Sequence, residues 1–263
     1  MKNDDIKQGE IPQYDTCLVD VWVVIYDGNK LIEYGIKLLD KLMIDGGVIL
    51  LGNTFRTTSE LIHILENKGM DTSDLSRVIT SGTLVKKEIE SFIKQNDCTS
   101  FYHVGSIEPS KWLYELPINM SDNIGTSDIV ICSNILTETE EKLIQITNEI
   151  KEKHLHFFIT NSDKKIFVNG GCMSVDTMID YCERNKIKVY IYGKPENSIF
   201  PHAIESIGAK NKTTCMVVGS SFRTDMLSAN RCGIDSILVQ SLNSISQIEL
   251  LSNQSQPTYR VLL

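Results

Sequence analysis

Residues 17–25 read CLVDVWVVI, a nearly continuous apolar run in which Asp20 is the one charged side chain. Uninterrupted apolar runs of this length are typical of strands that are buried on both faces of a parallel sheet. We therefore predict a buried strand over Cys17–Ile25 that carries an acidic residue.

Helix and strand patterns alternate outward from this run. The first third of the chain continues as helix, strand, helix and strand over Leu31–Met43, Val48–Leu51, Thr57–Gly69 and Arg77–Thr80. The last third repeats the alternation over Lys188–Tyr192, Ser198–Ile207, Cys215–Val218, Thr224–Arg231 and Ser236–Val239. This order predicts an α/β fold with a doubly wound, Rossmann-like parallel sheet.

The middle of the chain has apolar runs and helix patterns of its own. The runs are Phe101–Val104, Asp128–Cys132 and Phe157–Thr160. The segment is too long for a loop and too regularly patterned for a linker. We predict a smaller α/β cap domain over residues 84–172, inserted into a core domain formed by residues 1–83 and 173–263.

The charge balance narrows the classes of partner. The chain has 26 basic and 34 acidic residues, a net charge of −8, and a pI near 5.2, which argues against nucleic acid and anionic membranes as partners.

The polar residues 1–10 do not resemble a signal peptide, and no run reaches the roughly 20 apolar residues of a spanning helix. The seven cysteines form no CxxC pair, so we expect reduced thiols and a cytoplasmic protein.

Polar and charged residues follow several of the predicted strands. Ligands of open parallel sheets bind beyond the carboxyl ends of the strands, so these residues are expected to converge on one edge. A carboxylate there can attack phosphorus, and an amide, a hydroxyl or a lysine can hold phosphate oxygens. Two carboxylates suffice for Mg²⁺, which keeps several waters. The residues are Asp20, Asn53, Thr54, Arg56, Lys194 and Asp225.

Each of these features also has an ordinary structural interpretation. Asp20 could simply end a strand, Gly193-Lys194-Pro195 could form a turn, and Ser221 or Thr224 could cap a helix. Their order along the chain, each after a buried strand, favours a shared functional site.

The same motifs resemble those of the haloacid dehalogenase (HAD) superfamily, specifically its NagD-type class IIA with a large α/β cap. Asp20–Val24 is similar to the first family motif, Gly52–Arg56 to the second, and Gly193–Pro195 to the third. Gly219–Asp225 resembles the fourth motif, and Asn161–Asp163 resembles the motif of the cap.

The resemblance implies a role for each matching residue. The catalytic residues would be Asp20, as nucleophile, and Lys194, which would stabilise the nucleophile and the phosphoryl group. The metal ligands for Mg²⁺ would be Asp20, the Trp22 carbonyl and Asp225. The residues facing the substrate and its phosphate would be Asn53, Thr54, Arg56, Asn161 and Asp163.

The chain departs from the family pattern at four positions. Trp22 stands where most phosphatases of the superfamily have the aspartate that protonates the leaving group. Gly52 replaces a threonine or serine, and Ser220 replaces an acid that ligates the metal. Val23 occupies a position where glycine is common. These changes leave the scaffold intact and weaken the catalytic machinery.

Three functions remain open at this stage. The first is a Mg²⁺-dependent phosphatase acting on a small phosphorylated metabolite. The second is a weakly active or inactive HAD-fold protein that binds a ligand or partner. The third is a metal-independent dehalogenase, since such relatives also lack the second acid of the first motif. The sequence leaves open the substrate and whether the cap domain forms a homo-oligomer.

Overall fold

Fourteen strands are present in the part of the chain that the computed structural model describes, which is residues 4–5, 11–73, 75, 77–105, 108–133, 139–160, 166–168, 171–173, 175–195, 199–206, 214–240 and 255–262. Numbered along the chain, they are β1 Asp4–Asp5, β2 Thr16–Asp20, β3 Gly47–Gly52, β4 Arg77–Thr80, β5 Ser100–Val104, β6 Asn119–Ser121, β7 Ile129–Cys132, β8 His156–Ile159, β9 Ile166–Val168, β10 Gly171–Met173, β11 Val189–Ile191, β12 Cys215–Gly219, β13 Asp235–Gln240 and β14 Tyr259–Leu262.

Seven α-helices lie in the same described residues. They are α1 Glu33–Asp45, α2 Thr58–Asn67, α3 Ser81–Asn96, α4 Glu140–Lys153, α5 Val175–Arg184, α6 Ile199–Ser206 and α7 Leu227–Cys232. The described residues also include the 3₁₀ segments Glu108–Glu115 and Ile124–Thr126 and a π-type turn at Phe222–Met226. None of the helices in this described part is long and apolar enough to cross a membrane.

The first sheet has seven strands, all parallel, in the order β1-β14-β13-β12-β2-β3-β4. One face packs against apolar side chains of α1 and α2, including Leu38, Leu42 and Leu61. The central strands are also buried at the alternate positions, such as Leu18 and Ile49. Burial on both faces explains the continuous apolar runs, and the prediction of a parallel α/β fold is confirmed.

The second sheet has five parallel strands in the order β11-β8-β7-β5-β6. One face carries Phe101, Ile129 and Phe158 against α3 and the segment Glu108–Glu115. The other face packs against α4 and α5. A separate antiparallel pair is formed by β9 and β10. This sheet is therefore covered on both faces by its own helices.

The chain divides into two compact units by its internal contacts. The first unit comprises Met1–Asn53, Thr58–Thr80 and Ser198–Leu263, and the second comprises Thr54–Thr57 and Ser81–Asn197. The second unit extends beyond the predicted range 84–172, because Val189–Ile191 pairs with β8 of the second sheet. The apolar pattern indicates a strand at this position but cannot tell which sheet it joins.

The predicted strand Cys17–Ile25 is too long. β2 ends at Asp20, and the remaining apolar residues form a turn in which the N–H groups of Ile25 and Tyr26 donate to the carbonyl of Val21. Val21, Val24 and Ile25 are nevertheless buried. The apolar residues of this segment therefore correctly predicted that it is buried, but they could not show whether it forms a strand or a turn.

Candidate active site

Asp20 is the last residue of β2, at the carboxyl end of the first sheet. It pairs in register with Leu51 of β3, and only 7% of its surface is exposed. The N–H of Val21 continues the pairing by donating to the Leu51 carbonyl at 3.0 Å. The nucleophile predicted from the sequence therefore lies in the middle of the sheet, on a backbone held by its neighbouring strand.

The turn after Asp20 holds a β-branched residue in a left-handed conformation. Val23 has a φ of 64° and is 64% exposed. Its N–H donates to the Tyr26 carbonyl at 2.9 Å, and the Trp22 and Tyr26 rings lie 5.8 Å apart. Such a conformation is costly for valine and persists only where the surrounding contacts require it. The turn thus keeps a defined shape despite an unfavourable side chain.

Replacing Val23 with glycine is expected to raise the free energy of unfolding by about 0.5–1 kcal/mol. Relief of roughly 1–2 kcal/mol of left-handed strain should exceed the roughly 0.5–1 kcal/mol entropy cost of glycine. Urea denaturation measures the change. Val24→Gly is the matched control, because Val24 is buried and its loss should destabilise the protein. A destabilised Val23→Gly protein would contradict the strain assignment.

Asp225 is enclosed by the turn that follows β12. Its Oδ2 accepts hydrogen bonds from the N–H groups of Ser220 and Ser221, each at 3.1 Å, and the residue is fully buried. A Cβ atom on Gly219 would lie 2.5 Å from that oxygen, so only glycine fits there. The Ser221 hydroxyl caps the π-type turn by accepting from the Thr224 N–H at 3.3 Å. The predicted helix Thr224–Arg231 is therefore a π-type turn followed by α7.

Strand pairing brings Asp20 and Asp225 to one edge of the first sheet. β2 and β12 pair with Val19 opposite Val218, so their last residues, Asp20 and Gly219, end side by side. Paired strands are about 4.8 Å apart, and Asp225 packs directly on Gly219. Two carboxylates that are 205 positions apart in the sequence are thus held at neighbouring strand ends.

The oxygen atoms at this edge are of the type that hard divalent cations prefer. They comprise the carboxylates of Asp20 and Asp225, the Trp22 carbonyl, and the Ser220 hydroxyl, which lies 3.4 Å from that carbonyl. Among the described residues no three His, Cys, Asp or Glu side chains form a metal-binding group. Two carboxylates with a carbonyl still suffice for Mg²⁺, because this ion retains several waters.

The other predicted site residues are divided between the two units. Asn53 follows β3 in the first unit and is 5% exposed. Thr54, Arg56 and Lys194 belong to the second unit, where Lys194 is buried and follows β11. Their convergence with Asp20 stays a prediction. The cap residues Asn161 and Asp163 lie outside the described residues.

Sequence patterns gave no reason to select two further residues near these positions. Ser81 exchanges hydrogen bonds with the backbone of Thr54, and Trp112 donates to the carbonyl of Phe55. Both are buried. The available signals were a serine directly after the predicted strand Arg77–Thr80 and a tryptophan among apolar residues, which are common in cores.

Known proteins resemble this chain in sequence and in fold. Residues 191–262 match the HAD-hydrolase-like family model. An acid sugar phosphatase of Staphylococcus aureus (strain USA300) is 26% identical over 254 residues, covering 94% of each chain. A haloacid dehalogenase-like family hydrolase from Brucella suis 1330 superposes with a TM-score of 0.77 at 18% identity, covering 95% of this chain and 98% of its own.

A second similar structure contains a metal. The glycerol phosphate phosphatase Rv1692 from Mycobacterium tuberculosis, in complex with magnesium, superposes with a TM-score of 0.70 at 17% identity, covering 99% of this chain and 77% of its own. The resemblance inferred from the motifs is thus confirmed. Residues 191–262 thus match the HAD-hydrolase-like family model, and nearly the whole chain has the fold of a haloacid dehalogenase-like hydrolase.

Proposed function

We propose that the chain is a phosphatase that hydrolyses a small phosphorylated metabolite through a phosphoryl group carried on Asp20. The observation that carries the proposal is the pairing of β2 with β12, which ends Asp20 beside Gly219, on which Asp225 packs. Sequence similarity to an acid sugar phosphatase and fold similarity to a glycerol phosphate phosphatase support it.

In the proposed reaction, a carboxylate oxygen of Asp20 attacks phosphorus while the bond from phosphorus to the ester oxygen breaks. The departing ester oxygen takes any proton it needs from solvent. Water then attacks the same phosphorus while the bond from phosphorus to the Asp20 oxygen breaks, which releases inorganic phosphate and a proton and restores the carboxylate. Asp20, Asp225 and the Trp22 carbonyl would hold Mg²⁺, which when bound would offset the charge on the phosphoryl oxygens. Asn53, Thr54, Arg56 and Lys194 keep their predicted roles because their amide, hydroxyl and cationic groups bind phosphate oxygens.

Trp22 determines which esters should react fastest. An indole cannot protonate a leaving group, and positioned acid catalysis contributes about 10²–10⁴-fold. We therefore expect para-nitrophenyl phosphate, whose leaving group needs no proton, to react faster than glycerol phosphate by about 10²-fold or more. A panel of sugar, nucleoside and aryl phosphates, assayed with Mg²⁺, tests this order. Trp22→Asp should narrow the gap, and equal rates in the unaltered protein would contradict the assignment.

Ser220 makes a ligand-binding protein without turnover the second candidate. It stands where the family has a metal-ligating acid, and its hydroxyl lies 3.4 Å from the Trp22 carbonyl that would bind the metal. Weak metal binding would leave the fold intact and the chemistry slow. The two candidates therefore differ in how tightly the chain binds Mg²⁺.

Replacing Ser220 with aspartate is expected to tighten Mg²⁺ binding by about tenfold or more, because charge count sets the affinity of oxygen-ligand sites. Isothermal titration calorimetry measures the dissociation constant. Ser220→Asn is the matched control, since it adds similar bulk without charge and should not tighten binding. Equal affinities in the unaltered protein and the aspartate variant would exclude position 220 from the metal site.

A further inference from the structure

The loop Thr54–Thr57 directly follows the last residues of the first unit, yet its contacts group it with the second unit. The Thr54 N–H donates to the Ser81 hydroxyl at 2.9 Å, and that hydroxyl donates back to the Thr54 carbonyl at 2.8 Å. The same carbonyl accepts from the Gly82 N–H at 2.8 Å. The first residue of the loop is therefore tied to the first turn of α3 at both its N–H and its carbonyl.

Gly82 allows the loop backbone to approach α3 closely. A Cβ atom at this position would lie 2.3 Å from the Arg56 carbonyl oxygen and 2.4 Å from that of Phe55. Such distances are far inside van der Waals contact, so a residue with a side chain would displace the loop. The path of residues 55 and 56 is thus fitted to the surface of the helix.

Trp112 supplies the remaining anchor. Its indole N–H donates to the Phe55 carbonyl at 2.8 Å, and the residue is 2% exposed. The ring packs in the apolar cluster of the second unit, together with Val85 and Ile89 of α3. A buried indole N–H needs an acceptor, and a ring held by packing presents that donor in a fixed direction.

The anchored carbonyl lies between the two residues of the loop that carry phosphate-binding chemistry. Thr54 is buried, and its hydroxyl oxygen accepts from the Arg56 N–H at 3.3 Å. Because Phe55 joins them, fixing its carbonyl restricts the backbone dihedrals on both sides. The guanidinium of Arg56 and the hydroxyl of Thr54 therefore start from a backbone that is set before any ligand arrives, which lowers the entropy cost of binding.

We propose that Trp112 and Ser81 are positioning residues for phosphate binding, since their hydrogen bonds to the loop Thr54–Thr57 hold Thr54 and Arg56 in the conformation that receives the phosphate. This inference rests on the proposed function and deepens it, because it assigns part of the substrate affinity to residues that do not touch substrate. A tryptophan in an apolar cluster thereby acquires a role beyond packing.

The test compares Trp112→Phe and Ser81→Ala with the unaltered protein. Both variants should raise the KM for para-nitrophenyl phosphate and the dissociation constant for inorganic phosphate by the same factor, about fivefold to tenfold, the fold-change that corresponds to one hydrogen bond. The kcat should change by less than about twofold, because binding lost equally in the ground and transition states alters KM alone.

Ile131→Val is the structural control. Ile131 is buried in the same apolar cluster, but it belongs to β7 and not to α3 or the segment Glu108–Glu115, which supply the hydrogen bonds to the loop. Its truncation should lower the unfolding temperature and leave the KM and the phosphate dissociation constant unchanged. If Trp112→Phe and Ser81→Ala behave like this control, the positioning role is refuted.

A spectroscopic readout separates this inference from the proposed function. The chain has two tryptophans, so isotope-labelled protein gives two indole N–H resonances, and the one lost in Trp112→Phe should shift when inorganic phosphate is added. If the unaltered protein turns over no ester, the proposed function fails. The role of Trp112 and Ser81 can still be tested, because the binding of inorganic phosphate is measured without turnover. Binding that weakens in both variants supports it, whereas no binding, or equal binding in all proteins, overturns it.

Discussion

Asp20→Asn is expected to lower the turnover of para-nitrophenyl phosphate by at least about 10⁴-fold, because an amide cannot attack phosphorus and no covalent route remains. Asparagine has nearly the same shape as aspartate, so the residue should still fit at the buried end of β2. Steady-state kinetics with Mg²⁺ measure the effect. The unfolding temperature of the variant should remain close to that of the unaltered protein.

Asp27→Asn is the matched control for this substitution. Asp27 lies in the same connection between β2 and α1 but is exposed, and its Oδ1 accepts from the N–H groups of Lys30 and Asn29 at 2.8 Å each. These hydrogen bonds hold the pKa of Asp27 below its ordinary value. Its replacement removes the same charge from the same connection, yet turnover should persist. Equal turnover in Asp20→Asn and in the control would exclude Asp20 as the nucleophile.

Gly219→Ala is expected to lower the free energy of unfolding by about 3 kcal/mol or more and to abolish measurable Mg²⁺ binding. The added Cβ would lie 2.4 Å from the Cβ of Asp225. Asp225 would have to leave the N–H groups of Ser220 and Ser221, and a buried carboxylate without its donors is strongly destabilising. Urea denaturation and calorimetry with Mg²⁺ measure the two effects.

Gly28→Ala provides the comparison for that variant. Gly28 has a φ of +96°, and a Cβ atom there would meet nothing within 4 Å. The free energy of unfolding should therefore fall only by the backbone strain of alanine, which is about 1–2 kcal/mol. Mg²⁺ binding should be retained. A Gly219→Ala protein that matched Gly28→Ala in stability and bound Mg²⁺ normally would contradict the enclosure of Asp225 by its turn.

Short buried strands were the most predictable part of the fold. The apolar run Val48–Leu51 predicted β3 to within one residue at each end, and Arg77–Thr80 predicted β4 completely. These segments are surrounded by protein on both sides, so their composition directly reflects their burial. The parallel order followed because each strand is separated from the next by a helix.

Pairing partners could not be predicted from the same patterns. Val189–Ile191 forms a strand as expected, but it joins β8 of the second sheet. Which strand it pairs with depends on contacts between residues that are distant in the sequence, and hydrophobic periodicity carries no such information. For the same reason the pattern could not show that the loop Thr54–Thr57 belongs with the second unit.

Long-range hydrogen bonds explain most of what the sequence did not reveal about the candidate site. The indole of Trp112 and its acceptor Phe55 are 57 positions apart, and Ser220 lies 198 positions from Trp22. Conversely, Asp20 and Asp225 were predicted together, because residues at the carboxyl ends of parallel strands share one edge of the sheet. Local motifs therefore predicted the candidate reactive groups. The residues that hold those groups in place could be identified only from the structure.

The most direct test of the central claim is to trap the phosphoryl group on the protein. Rapid acid quenching during turnover of para-nitrophenyl phosphate with Mg²⁺, followed by peptide mass spectrometry, locates it. We predict one phosphoryl group on the peptide that contains Asp20, removable by hydroxylamine and missing from Asp20→Asn. A protein that turns over the ester while its phosphoryl group is trapped on another residue would contradict the assignment of Asp20.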